Sequence, residues 1–246
     1  NMKAGKWMVL GLAGAGLLCL CFREYADRHL GSPPALREGL AMAIVYDTSG
    51  SMEDRVPNAL KLPEPKFQIA GRAANSIFDQ LDAYVAGAAP GTVREVQAEL
   101  LVLKTLRARR VLSMRPFQSS VFKEAIASLP WPRGGTPLGR ALQTASRDLL
   151  KSPLSRKHVL VVTDGENTEG PSPEEVLPGI RADCERFGAS LQVHFVAFDV
   201  AAKVFDPVKN LGATVAGASD EVQLKEQLEY ILQKKILLEN MELPLR

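Results

Sequence analysis

The stretch "MAIVYDTSGSMED", Met42 to Asp54, runs apolar as far as Tyr46 and then breaks into Asp47 and a set of small hydroxyl residues. Such an apolar run reads as a buried strand, and the turn after it can use Asp, Ser and Gly simply to satisfy loose backbone groups. The alternate spacing of Asp47, Ser49 and Ser51 has a second reading: oxygens converging on a cation.

Downstream the period changes. From Lys66 to Val85, residues such as Phe67, Ile69, Ala70, Ala73, Ala74 and Ile77 recur at helical spacing. Two strands follow, Ala98 to Leu106 and Ala108 to Phe117, close enough to pair as a hairpin. A helix near Val121 to Leu129 comes next, then another over Pro137 to Leu150 with Pro at its first position. "KHVLVVTDG" is a buried strand, "SPEEVLPGIRADCERFG" a helix stopping at Gly188, and "SLQVHFVAFDV" a further strand. A short helix near Ala202 to Leu211, a strand near Ala213 to Ala216 and a long helix from Glu221 to Leu238 complete the alternation. Strands alternating with helices predict an α/β fold, with a doubly wound, mostly parallel sheet covered by helices on both faces.

At 246 residues and 46% hydrophobic content, the chain has room for one full domain plus appendages. A net charge of +2, from 30 basic and 28 acidic residues, provides no broad basic field, so nucleic acid is not an expected partner. Cys19 and Cys21 lie in an apolar stretch and Cys184 stands alone, which leaves neither a disulfide framework nor a C-x-x-C metal site.

That apolar stretch, "KWMVLGLAGAGLLCLCFRE", carries no charge over the 16 residues from Trp7 to Phe22. It is short for a bilayer span of about 20 residues. Snorkelling Lys6 and Arg23, with Trp7 and Tyr25 near the interfaces, extend it to an uncleaved anchor. A cleaved signal is the second reading, although no small-x-small site precedes Arg23, and a buried core helix is the third. The expected organisation is a signal anchor or transmembrane helix over residues 1–23, a linker over 24–39, the main domain over 40–238 and a tail over 239–246. Lys3 and Lys6 before the anchor, against Arg23 and Arg28 after it, give a weak bias toward a single-pass membrane protein with its domain outside the cytoplasm.

In parallel sheets ligands sit beyond the carboxyl ends of the strands. Three loops reach that edge: one with Asp47, Ser49 and Ser51; "PRGGTPLG", presenting Thr136 before a helix; and "VVTDGEN", placing Asp164 at a strand end. Each has a plainer account, since Thr136 can be an N-cap and Asp164 with Gly165 a tight turn. Their joint order and placement favour one site.

These residues resemble the von Willebrand factor type A (VWA) domain and its metal-ion-dependent adhesion site over about Leu40 to Leu238, with the whole pattern Asp47, Ser49, Ser51, Thr136 and Asp164 present. The resemblance implies a Rossmann-like sheet of about six strands, one antiparallel at an edge, with Mg²⁺ or Mn²⁺ at its upper rim. It also implies that the serines ligate directly, that Thr136 does so directly or through water, and that the aspartates hold waters and balance charge. Neutral hydroxyls with carboxylates behind waters suit Mg²⁺, and the electrophilic ion then accepts an Asp or Glu from a partner protein. The stretch "EDRVPNALKLPEP" is longer than in adhesion-receptor members and closer to bacterial ones, and reads as a partner-binding rim or as a passive surface loop.

Other chemistries fit poorly. A phosphatase of the haloacid dehalogenase type needs a second Asp where Ser49 stands. A serine hydrolase lacks G-x-S-x-G, and no motif links His29, His158 or His194 to Ser49 or Ser51. His194, in an apolar strand, reads as a satisfied core histidine. Arg107, Arg109, Arg110 and Arg115 form a basic edge or, more plainly, guard an edge strand against aggregation. The expected function is thus non-enzymatic: a membrane-anchored module for metal-dependent protein binding. The alternative role on the same fold is a structural subunit or adaptor of a larger membrane assembly, for example with a MoxR-type AAA+ ATPase.

Overall fold

The computed structural model describes residues 35–88 and 94–238; the expected anchor over 1–23, most of the linker and the tail over 239–246 lie outside the described residues. Among the described residues no helix is long and apolar enough to cross a membrane.

The opening stretch forms the centre of the sheet. β1 (Arg37–Tyr46) is buried from Gly39 onward. It sends Met42, Ile44 and Tyr46 into one apolar layer and Ala41, Ala43 and Val45 into the other. Burial on both faces is why its sequence is continuously apolar rather than alternating. A 3-10 turn at Gly50–Glu53 leads into β2 (Arg55–Pro57) and β3 (Pro63–Pro65), an antiparallel ribbon made by the proline-rich insert. α1 (Lys66–Ala86) follows, then β4 (Val96–Lys104), β5 (Arg107–Pro116), α2 (Ser119–Ala127) and α3 (Leu138–Lys151). β6 (Leu154–Thr163), α4 (Pro173–Arg186), β7 (Ser190–Phe198), α5 (Asp206–Asn210), β8 (Thr214–Ala218) and α6 (Glu221–Tyr230) complete the order.

The six-stranded sheet runs β5-β4-β1-β6-β7-β8, and only the β4–β5 pair is antiparallel. One layer packs α1, α2 and α6 on the sheet around Phe78, Phe117 and Phe122; the other packs α3, α4 and α5 around Leu142, Leu149, Phe195 and Phe205. The chain leaves β1 toward β4 on one side and later returns to β6 on the other. The order therefore reverses at β1, and crevices at such reversals bind ligands. The loops after β1 and β6 open at this point.

Several details differ from expectation. Pro137 is the N-cap of α3 rather than its first helical residue. The last helix changes to π-helical bonding over Ile231–Leu237, where Ile231, Leu232 and Ile236 stay buried. His194 is a core residue, stacked on His158 with Nδ1 of His158 3.1 Å from its Nε2, but its own Nδ1 has no hydrogen-bond partner among the described residues. Burial, then the neighbouring His158, push its pKa down to about 3, so it stays neutral.

Candidate metal centre

Asp47 is the first residue past β1, yet its N–H still donates to the Val162 carbonyl (3.0 Å), which fixes its place against β6. Its carboxylate is fully buried and held from two sides. Oδ1 accepts from the Ser49 N–H (2.7 Å) and Oδ2 from Thr163 Oγ1 (2.6 Å). Burial pushes Asp47's pKa up to about 6 against the pull of these bonds, and the charge of Asp164 adds to the rise.

Ser49 Oγ lies 3.1 Å from Ser51 Oγ, and Ser51 Oγ donates to Asp164 Oδ1 (2.7 Å). The first and third loops are thereby joined through their own candidate ligands. The second loop reaches the first through Gly50 N–H to the Gly134 carbonyl (3.0 Å) and Arg133 N–H to the Thr48 carbonyl (2.8 Å). Gly134 can make this approach because it adopts φ +93° against Thr105, where a side chain would collide. Thr136 is buried, its N–H donates to Thr168 Oγ1 (2.8 Å), and Thr168 N–H returns to the Thr136 carbonyl (3.1 Å). All three loops are therefore cross-linked. Asp47, Ser49, Thr136 and Asp164 are buried and Ser51 is exposed, so the cluster opens to solvent beside Ser51.

The donor set is two carboxylates and three hydroxyls, all hard oxygens, which fits Mg²⁺ or Mn²⁺ and not a soft metal. Among the described residues no group of three His, Cys, Asp or Glu side chains is placed to hold a metal, because hydroxyls supply most of this cluster.

Sequence reasoning missed Lys66. Its Nζ lies 3.1 Å from Asp164 Oδ2 and 3.0 Å from Asp199 Oδ2, with Asp54 more distant at 3.9 Å. The residue is only 4% exposed. Burial lowers its pKa, but the hydrogen bonds and charges of Asp199 and Asp164 more than reverse that, so the net direction is upward and the ammonium stays charged. One signal was available: a lysine at the first position of a helix opposes the helix dipole and needs a local anion. Thr163, which orients Asp47, was likewise hidden, because a threonine ending a strand looks like ordinary strand composition. The insert packs toward α6, with Ala59 N–H donating to Glu221 (2.8 Å) and Lys61 pairing with Asp220 (3.2 Å), while Leu60 and Leu62 stay exposed.

The fold recurs among solved structures. The PilB minor pilin from Streptococcus sanguinis superposes with a TM-score of 0.62 at 15% identity, over 87% of this chain and 65% of that one. The vWF domain of the type V pili tip protein Mfa5 from Porphyromonas gingivalis gives 0.60 at 11% identity, over 86% and 98%. Proximal thread matrix protein 1 from the mussel byssus, solved with a zinc-occupied MIDAS motif, gives 0.54 at 13% identity, over 82% and 48%. The chain thus spans just under two thirds of the minor pilin and about half of the byssus protein. No curated protein matches the sequence. The model of the von Willebrand factor type A domain matches residues 42–166, just over half of the chain, and the chain belongs to that family.

Proposed function

We propose that this VWA domain binds one Mg²⁺ or Mn²⁺ through Asp47, Ser49, Ser51, Thr136 and Asp164 and uses it to recognise an Asp or Glu of a protein partner. Family membership and the cross-linked loops support this reading. The observation that carries it is the chain from Ser49 Oγ through Ser51 Oγ to Asp164, which brings candidate ligands of two loops to one point.

Ser49, Ser51 and Thr136 are the neutral oxygens that would touch the ion, and Asp47 and Asp164 those that would hold its waters. Lys66 already compensates one of the two carboxylates. Counting Asp47, Asp164 and Asp199 as −1 each and Lys66 as +1, a divalent ion brings the cluster to neutrality. An incoming carboxylate then meets no net negative charge at the cluster. When bound, the ion supplies an open coordination position for a carboxylate oxygen. Ser51, at the exposed edge, marks where the partner enters, while buried Asp47 is kept in one orientation by Thr163 and the Ser49 N–H. The role is one of binding, with no catalytic step.

The proposed setting is a membrane tether over residues 1–23 with the domain outside the cytoplasm. Protease added to intact cells or spheroplasts should digest the domain, and protection behind a sealed membrane reverses that assignment. The binding role is tested by affinity capture of the full chain from detergent extracts with Mg²⁺, with chelator, and with Ser49→Ala/Ser51→Ala. A partner carboxylate on the metal should act as a hot spot worth about 2 kcal/mol, so capture should weaken about thirtyfold in the last two conditions. Equal capture in all three favours a structural subunit, such as an adaptor of an AAA+ ATPase.

A further inference from the structure

Val102 of β4 stands level with Tyr46 of β1, so two residues further on Lys104 is level with Thr48, inside the loop that carries Ser49. The connection is direct. Thr48 Oγ1 donates to the Leu103 carbonyl (2.7 Å), and the Thr48 carbonyl accepts from the Arg133 N–H (2.8 Å). Arg109 of β5 pairs with Val102, and Lys104, two residues beyond Val102, shares its face of the sheet. Lys104, Arg109 and Arg133 are therefore gathered at one corner of the rim. Burial, then the charges of Arg133 and Arg109, hold the Lys104 pKa below the ordinary lysine range.

These cations differ from several other basic groups around the site. Arg72 is paired with Glu64 and Glu221, Lys61 with Asp220, and Lys66 with Asp164 and Asp199. Arg110, next to Arg109 but on the opposite face, is paired with Asp148. Among the described residues Lys104, Arg109 and Arg133 have no ion-pair partner. Two exposed apolar groups flank them. Leu106 is 59% exposed at the tip of the β4–β5 turn, held at φ +62° with its N–H on Glu169. Trp131 is 53% exposed and braced edge-on by Phe67 at 4.7 Å.

We propose that the partner presents an acidic run, with one carboxylate directed to the metal position and further Asp or Glu residues lying over Lys104, Arg109 and Arg133. The proposal rests on the metal-directed reading above and narrows its partner to an acidic peptide segment. Charge complementarity names the occupant: three unpaired cations lie beside a carboxylate-accepting site, whereas Lys61, Arg72 and Lys66 on its other side are already paired. Three cations at one corner match a few carboxylates and are too few for an extended polyanion. Arg109 thereby gains a role beyond guarding the edge strand.

The test uses the full chain in detergent and two labelled peptides, one with a single Asp between Leu and Gly-Ser spacers and one with that Asp followed by three Glu. Fluorescence anisotropy is read with Mg²⁺ and with chelator, at low and high salt, for the wild type and for Lys104→Gln/Arg109→Gln/Arg133→Gln. In Mg²⁺ at low salt the wild type should prefer the acidic run about tenfold, and the preference should vanish in the triple variant and shrink at high salt. Equal affinity for the two peptides, both lost on chelation, overturns the acidic-run proposal and leaves the metal-directed reading standing. A preference for the acidic run that chelation does not weaken overturns the metal-directed reading. Binding of neither peptide overturns both.

Discussion

Replacing Lys66 by Met removes a buried ammonium while keeping most of its apolar stem, and two quantities should then move in opposite directions. At 3.1 Å from Asp164 Oδ2, the ammonium contributes a gross attraction of about 5 kcal/mol at an effective dielectric of about 20. Lost hydration offsets part of this, and breaking a buried pair by removing one partner typically leaves a deficit of about 3 kcal/mol. The second contact, to Asp199 at 3.0 Å, adds little because that side chain is 41% exposed. Without metal, Lys66→Met should therefore unfold at lower urea, by about 3 kcal/mol. With Mg²⁺ present the deficit should shrink, because the cation takes over the neutralisation of Asp164. Affinity for Mg²⁺ should rise about tenfold, or about 1.4 kcal/mol. Affinity of the loaded protein for a carboxylate-bearing partner should fall, since the loaded cluster then carries net negative charge. Urea unfolding with and without Mg²⁺, together with calorimetric titration of the metal, reads these effects. A stability deficit independent of Mg²⁺, or an unchanged Mg²⁺ affinity in a folded variant, refutes the charge argument.

Three further substitutions probe the frame around the site. Glu99 of β4 is fully buried with both carboxyl oxygens lacking a hydrogen-bond partner among the described residues; burial, then Asp148, push its pKa up to about 9. A folded pKa above the unfolded one favours folding fully below about pH 4.5, and that contribution fades as pH rises toward 9. By pH 7 it amounts to a loss of about 3 kcal/mol. Glu99→Gln should flatten the fall in stability between about pH 5 and 8 in urea titrations, and parallel pH profiles for the two proteins would count against it. Gly139→Ala places a methyl into the Pro171 carbonyl, so it should lower stability by about 2 kcal/mol or more in thermal unfolding and pull the second and third loops apart. Thr163→Val keeps shape but removes the donor on Asp47 Oδ2, and should weaken Mg²⁺ binding about tenfold by calorimetry with the fold intact.

The central strand and the three loops were legible because each combines local signals: a continuous apolar run for a two-face-buried strand, and polar residues placed at its end. The helix at Lys66–Ala86 was equally open to reading, through its helical spacing. Long-range pairing was not. Lys66 meets Asp164 and Asp199 across 98 and 133 residues of chain, and nothing in the sequence near any of them names the others. The ribbon of β2 and β3 hides because its three-residue strands are bounded by prolines, whose composition reads as loop. Arg109 and Arg110 looked alike until the β4–β5 register sent one to Asp148 and the other to the rim, and that register includes a shift between Leu100 and Leu101 that no local pattern discloses.

Titration of the full chain in detergent with Mn²⁺, followed by the paramagnetic resonance signal of the free ion, addresses the metal site most directly. One bound Mn²⁺ per chain, displaced by Mg²⁺, is expected, with loss of that binding in Ser49→Ala/Ser51→Ala and an unchanged circular dichroism spectrum, since Ser51 lies at the exposed edge of the cluster. A double variant that binds Mn²⁺ with the same stoichiometry and affinity as the wild type contradicts that expectation.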